Sequence, residues 1–404
     1  MPKKTVNGVE AMLYLGIDVA KTNHVATLID GERKTLFKGL TIKNTAQGGE
    51  LLLSSLARHA QSTSDVVIGM EATGHYWLSL YSFLVEKGYR VHVINPIQTD
   101  GWRKGVEVRK RKTDQIDSFL IADLIRYGGF VETSLSDENM MSLRNLSRFR
   151  HYLVGSIGDL KRKVVCVLDQ VFPEYESVFS DIFGQASTEL LLNFQTAEDF
   201  QNITAEQLEA ALENVRQKGF AKAKLSQIAG LAETSFGLKF CQDSFALQLR
   251  LLLEQIRFID GQVNDVEAEI ARLLDGLNSP ITTVPGIGAV TGAAILGEIG
   301  DIRRFSTPSK LVAFSGIDAT VSQSGENAGT GFKMSKRGSP YLRKALFQAA
   351  LVASFHDPTF SAFYQKKRNE GKHHLTAVGA VARKLCYTIH AVIKNNTPYK
   401  VQPA

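Results

Sequence analysis

Eight apolar residues, Leu249, Leu252, Ile256, Ile259, Val263, Val266, Ile270 and Leu273, follow one another at alternating steps of three and four. That spacing fits a long helix, because 3.6 residues per turn gathers those positions into one stripe. Charged residues flank the stripe, so it predicts a coiled coil whose seam must be covered by another helix. A second run, Leu143, Leu146, Leu153, Ile157, Leu160, Val164 and Val167, keeps the same steps, with Arg150 as its one break and Phe172-Pro173 as its end. The two helices either pair with each other or build a subunit interface. The spacing allows both.

Strand patterns are confined to the first quarter of the chain. "MLYLGIDVA" (12–20), "HVATLIDG" (24–31) and "KTLFKGLTI" (34–42) are β-rich runs separated by tight turns, which predicts an antiparallel meander. A helix is expected over about 45–61, a buried strand in "DVVIGMEAT" (65–73), a helix over 74–88 stopped by Gly88, a strand in "RVHVINP" (90–96), and a helix from Thr113. The order is βββαβαβα, an α/β domain. Beyond Leu135 no strand is expected, and the stretch between the two long helices reads as short helices and loops. The last part holds "VPGIGAVTGAAILGEIGD" (284–301), a short helix ended by Gly316, a long polar, glycine-rich loop (318–338), and strong helices over 339–357 and 376–395. The predicted fold class is α/β plus α, in three parts: 1–135, 136–278 and 279–404.

The chain has 404 residues, 44% of them hydrophobic and 22% charged, enough to bury two or three cores. No run of about 18 apolar residues or signal-peptide core appears, so no membrane partner is expected. Cys166, Cys241 and Cys386 lie far apart and read as reduced core residues of a cytoplasmic protein. The net charge of +6 is uneven. Six cations stand against Glu107 between Arg103 and Lys112, and thirteen against Asp357 and Glu370 between 330 and 400. Between 201 and 280, eleven acids face eight bases. Basic blocks around a near-neutral middle suggest a polyanion partner; Arg109, Lys110, Arg111 and Lys112 form the densest run.

Carboxylates interrupt this pattern at telling places. Asp18 ends the first strand and Glu71 the fourth, and a meander followed by crossovers puts those strands side by side. Asp114 and Asp117, three apart, open the helix behind the basic run. Each has a plain reading: Asp18 as a turn cap, Glu71 as a salt-bridge partner, Asp114 as an acid at the positive end of the helix dipole. Together they suit a four-carboxylate site for Mg²⁺ or Mn²⁺, since oxygen-only ligands do not favour zinc. Two such ions about 4 Å apart can clamp a phosphoryl displacement.

The order βββαβαβα with "GID", "MEATG" and "RKTDQID" resembles the RuvC-like branch of the ribonuclease H fold. More closely, it resembles the DEDD transposases of bacterial insertion sequences, a family that includes Piv-type DNA invertases and bridge-RNA-guided recombinases. The resemblance covers nearly the whole chain and implies the tetrad Asp18, Glu71, Asp114 and Asp117. It also implies a catalytic serine: "QSG" followed by "SKRGSPYLR" points to Ser324 as a nucleophile that forms a covalent phosphoserine link to DNA. Lys333, Lys336, Arg337, Arg343 and Lys344 stand nearby as phosphate-binding candidates, and Gly325, Gly329 and Gly331 allow close backbone approach. The resemblance further implies DNA as substrate, a bridge RNA as partner, and assembly into a homo-oligomer through the coiled coil.

Other readings stay open on the residues. The same carboxylates with water as nucleophile would make a RuvC-like nuclease of the Holliday-junction type. "LGIDVAKTN" also resembles the first phosphate loop of actin-like ATP-binding folds, but no second phosphate loop follows. An architectural DNA-binding protein would leave the tetrad unexplained. "VPGIGAVTG" fits either a helix-hairpin-helix-like phosphate contact or plain helix packing.

Overall fold

A computed structural model describes residues 12–401, apart from 73, 107–112, 131–136, 214, 217, 319–322, 325–326 and 329–333. The chain divides into two compact units, 1–135 and 136–404. The basic run Arg109, Lys110, Arg111 and Lys112 lies outside the described residues, as do Lys333 and the loop glycines Gly325, Gly329 and Gly331.

The first unit is a mixed sheet between helices. Its elements are β1 (Leu13–Asp18), β2 (Asn23–Ile29), β3 (Thr35–Lys43), α1 (Ala46–Leu56), β4 (Val66–Glu71), α2 (Trp77–Glu86), β5 (Arg90–Ile94), α3 (Pro96–Val106) and α4 (Asp114–Tyr127). The strand order is β3-β2-β1-β4-β5, with β1 and β4 parallel and central as expected. Alternation along the strands sorts the side chains. Leu13, Leu15 and Ile17 with Ile68 and Met70 share a core with Leu52 and Leu56 of α1 and Leu80 and Leu84 of α2. Val67 and Ile94 instead pack with Ile121, Leu124 and Ile125 of α4.

On the α4 side, one row across the sheet is nearly bare. Thr27, Gly16, Gly69 and His92 stand opposite one another on β2, β1, β4 and β5. A Cβ on Gly16 would lie 2.1 Å from the Ser118 carbonyl oxygen and 2.3 Å from the Ala122 nitrogen. A Cβ on Gly69 would meet Ile125 and Ile121 side chains at 2.8 and 3.2 Å. The paired glycines therefore let α4 lie backbone-close on the sheet, and Thr27 Oγ1 and Ser118 Oγ hydrogen-bond at 2.8 Å beside them. Helix α3 is an element the sequence pattern did not show. Pro96, read as a strand end, also opens this helix, the position where a missing N–H costs nothing. Two glycines and a polar composition hid its periodicity.

The second unit contains α5 (Glu138–Val171), α6 (Gln185–Asn193), α7 (Ala197–Gln201), α8 (Ala205–Ala211), α9 (Lys218–Glu233), α10 (Gln242–Gly276), α11 (Ala289–Ile299), α12 (Pro308–Ser315), the two-residue strands β6 (Gln323–Ser324) and β7 (Asn327–Ala328), α13 (Pro340–His356), α14 (Pro358–Asn369) and α15 (His374–Asn395). The long helices α5 and α10 pack on each other antiparallel within the one chain. Leu143 meets the Ile270 end, while Val164 and Val167 share a core with Leu249 and Leu253. Arg150, the break in the α5 stripe, donates to Glu267 of α10 at 2.6 Å, so the irregular position is a cross-helix ion pair.

Three further expectations change. The β6–β7 pair is a strand element beyond residue 135, and α14 is an additional helix, started by Pro358 behind the Asp357 cap. Only Cys386 is a core thiol, with its pKa pushed up to about 12 by burial; Cys166 and Cys241 are exposed. No helix among the described residues is long and apolar enough to cross a membrane.

Candidate active site and nucleic-acid surface

Asp18 and Glu71 follow directly on the paired residues Ile17 and Met70 of β1 and β4. They stand two residues beyond Gly16 and Gly69, so both project to the face that carries α4. Glu71 accepts a 2.7 Å hydrogen bond from Thr99 Oγ1 on α3, a buried hydroxyl. Helix α4 begins as the sequence suggested. Thr113 caps it by accepting from the Ile116 N–H, and Gly128, at φ +77°, closes it in the left-handed conformation.

Asp114 and Asp117 occupy that first turn but differ in setting. Asp114 is exposed, whereas Asp117 is 7% exposed and ion-paired to Arg103 of α3 at 2.7 Å. Among the described residues, no three His, Cys, Asp or Glu side chains lie close enough to ligate one ion. Two of the four have protein partners: a buried carboxylate needs a cation or donors, and Arg103 serves Asp117 while Thr99 serves Glu71. The donor set itself, oxygen from carboxylates on adjacent strand ends and a helix start, still fits a hard divalent cation.

Ser324 is placed through its backbone, in β6 opposite Asn327 of β7; its side chain lies outside the described part. The stem of its loop is pinned. The Ser335 N–H donates to Asp318 O at 2.9 Å, the Lys336 N–H to Gly316 O at 3.0 Å and the Ser339 N–H to Phe314 O at 2.9 Å. The Ser335 hydroxyl also donates to the Asp318 carboxylate. Lys336 and Arg337 are exposed, as a phosphate-binding role requires. Arg343 instead donates to the Ser315 carbonyl at 3.2 Å and so helps hold the end of α12. Lys344 is exposed and lies 3.0 Å from His151 Nδ1. Gly286 sits at φ +79° and a Cβ there would lie 2.2 Å from Ala349 O, so this glycine serves packing against α13.

Sequence reasoning missed two groups. Thr99 and Arg103 carry no local signal tying them to Glu71 and Asp117. Glu298 did carry one: it is an acid inside an apolar helix. Its carboxylate, 2% exposed, accepts from Arg148 at 2.6 and 3.0 Å and from the Ser339 hydroxyl at 2.7 Å. It thus ties α5 and α11 to the cap of α13, where the serine loop ends. Replacing Glu298 with Ala strands Arg148 in a half-buried site. A loss of about 3–5 kcal/mol is expected, read by helical circular dichroism in urea; a loss under about 1 kcal/mol would show that the network carries no weight.

The chain is similar to known proteins along both units. Residues 15–173 match a family described as "Transposase", of the DEDD type found in IS110 elements, and residues 278–365 match the "Transposase IS116/IS110/IS902 family". A 44.8 kDa protein of insertion element IS116 from Streptomyces clavuligerus is 24% identical over 402 residues, 97% of each chain. The pilin gene-inverting protein of Moraxella bovis is 24% identical over 396 residues, 96% of this chain and 97% of the relative. The mini-circle putative transposase for IS117 of Streptomyces coelicolor is 24% identical over 405 residues, 97% of this chain and 96% of the relative. The α/β sheet with carboxylates at its central strand ends is consistent with the DEDD type. On these matches the chain belongs to the IS110/IS116 family of transposases and is an enzyme of DNA transposition and recombination.

Proposed function

We propose that the protein cuts and rejoins DNA strands through a phosphoserine intermediate, with Ser324 as nucleophile and with Asp18, Glu71, Asp114 and Asp117 holding Mg²⁺ or Mn²⁺ in a RuvC-like domain. The observation that carries this reading is the placement of Asp18 and Glu71 side by side on β1 and β4, facing the helix that starts with Asp114 and Asp117. When bound, such an ion offsets charge on a phosphate and lowers the pKa of a coordinated hydroxyl.

The serine step balances. Ser324 Oγ forms a bond to phosphorus, the bond from phosphorus to one sugar oxygen breaks, and the serine proton passes to that leaving oxygen. One diester replaces another, so the strand can be rejoined without an outside energy source. Hydrolysis by water would discard that bond, which suits a nuclease and not a recombinase. The relative named as a pilin gene-inverting protein is in keeping with strand exchange. Guidance by a bridge RNA, and phosphate contacts from the basic run, Lys333, Lys336 and Arg337, belong to the same reading. So does a homo-oligomer. The α10 stripe is occupied inside the chain, but Leu247, Leu251 and Phe258 remain 48%, 44% and 68% exposed on that helix and support a partner there.

The test is a strand-transfer reaction with labelled DNA, co-expressed RNA and Mg²⁺, resolved on denaturing protein gels. A DNA–protein adduct is expected; cleaved DNA without any adduct would favour the water-using nuclease. A second expectation concerns Arg103. Changing it to Met removes the guanidinium from the buried Asp117 and is expected to cost about 3 kcal/mol. Added Mg²⁺ is then expected to restore more stability to the variant than to the parent, by mass action at the Asp117 carboxylate. Both Trp77 and Trp102 lie in the first unit, so tryptophan fluorescence during urea unfolding reads it directly. Equal Mg²⁺ effects on both proteins would count against metal binding at Asp117.

A further inference from the structure

A pocket of about 190 Å³ opens where α5, α11 and α13 meet. At ~30 Å³ per water it holds about six waters, below the size of an ordinary small-molecule site. Its polar wall includes Ser147, Arg148, Arg150 and His151 of α5, Glu298 of α11 and Lys344 of α13. The charges pair unequally. Arg148 is engaged by Glu298 and Arg150 by Glu267, each at 2.6 Å. Among the described residues, Lys344 pairs with no carboxylate; its neighbour is His151 Nδ1 at 3.0 Å. A lysine ammonium only donates, so Nδ1 accepts and the neutral ring carries its proton on Nε2. Burial, then Lys344, then Arg150 hold the His151 pKa below its ordinary value, consistent with that neutral form. The Ser147 hydroxyl is buried at the same wall and, among the described residues, has no hydrogen-bond partner. A buried hydroxyl left unsatisfied has a free-energy cost that a ligand oxygen would remove.

We propose that this pocket is a phosphate subsite, taking one backbone phosphodiester of a bound nucleic acid through Lys344, His151 Nε2 and Ser147 Oγ. One unpaired cation matches the single negative charge of a diester. A terminal phosphate, with nearly two charges, would be under-neutralised there. The ammonium, the imidazole N–H and the hydroxyl are all donors, and a diester presents two non-bridging acceptor oxygens. The site rests on the family's action on DNA, and either DNA or RNA offers the same group.

The experiment measures binding of the full-length protein to a random-sequence duplex DNA and to a single-stranded RNA across a salt series. For Lys344→Ala, the slope of log K against log salt is expected to fall by about 0.9 on duplex or about 0.7 on single strand, the value for one phosphate contact. The ligand on which it falls identifies the source. Ser147→Ala changes no charge and is expected to weaken the same binding about tenfold, as for a lost hydrogen bond to a charged group. It should leave the melting temperature of the free protein unchanged or raised, because it removes an unsatisfied hydroxyl. A slope change in Lys344→Ala with no effect of Ser147→Ala would reduce Lys344 to a surface charge and overturn the pocket. Unchanged binding in both variants would overturn it too. Binding of neither ligand by the parent protein would overturn the nucleic-acid reading together with the pocket.

Discussion

Ser324→Ala protein is expected to form no covalent adduct with DNA under conditions in which the parent forms one. Alanine has no oxygen to bond to phosphorus, and loss of a nucleophile that acts as part of a unit costs on the order of 10⁴-fold or more in rate. Folding should be preserved. Ser324 lies in an extended two-residue strand opposite Asn327, and alanine keeps both the backbone N–H and the carbonyl that such pairing uses. The neighbouring Ser335→Ala is the informative control. Its hydroxyl bonds to Asp318 in the loop stem, so it should loosen the loop and slow the reaction without abolishing the adduct. Persistence of the adduct in Ser324→Ala, at the parent's yield, would move the nucleophile elsewhere.

The second large effect is structural. Gly16→Ala is expected to destabilise the first unit by about 4 kcal/mol or more, against a total of 5–15 kcal/mol for an ordinary domain. The added Cβ would meet backbone atoms, Ser118 O and Ala122 N, which cannot rotate away. Helix α4 must therefore lift from the sheet, taking Ile121, Leu124 and Ile125 partly out of their core and carrying Asp117 away from the strand ends. Gly69→Ala is the paired comparison. Its Cβ meets the Cγ2 branch methyls of Ile125 and Ile121, side-chain atoms that can give more than backbone can, so about 1–3 kcal/mol is expected. Urea unfolding followed by tryptophan fluorescence separates the two. Similar losses in both variants would mean that α4 does not lie backbone-close on β1.

The carboxylates were legible because each broke a pattern. Asp18 and Glu71 end apolar strands, and Asp114 and Asp117 stand in the first turn of an apolar helix, so a period of two or of 3.6 exposes them. Glu298 broke a pattern in the same way, but only its contacts with Arg148 and Ser339 gave it a role. Arg103 and Thr99 broke none, and their contacts with Asp117 and Glu71 span 14 and 28 residues of chain. Helix α3 escaped for a related reason: its glycines and polar residues blur the helical period.

By itself the sequence determined the elements of the first unit other than α3 and their order, the central neighbours β1 and β4, the two long helices and the family motifs. These follow from local periodicity and short-range steric signals such as Pro, Gly and helix caps. Tertiary structure decided that α5 and α10 cover each other inside one chain, that Arg103 holds Asp117, and that Ser147, His151 and Lys344 face one pocket. Those outcomes depend on which distant surfaces meet, and side-chain spacing along a chain does not encode that choice when two partners offer the same apolar stripe or the same charge.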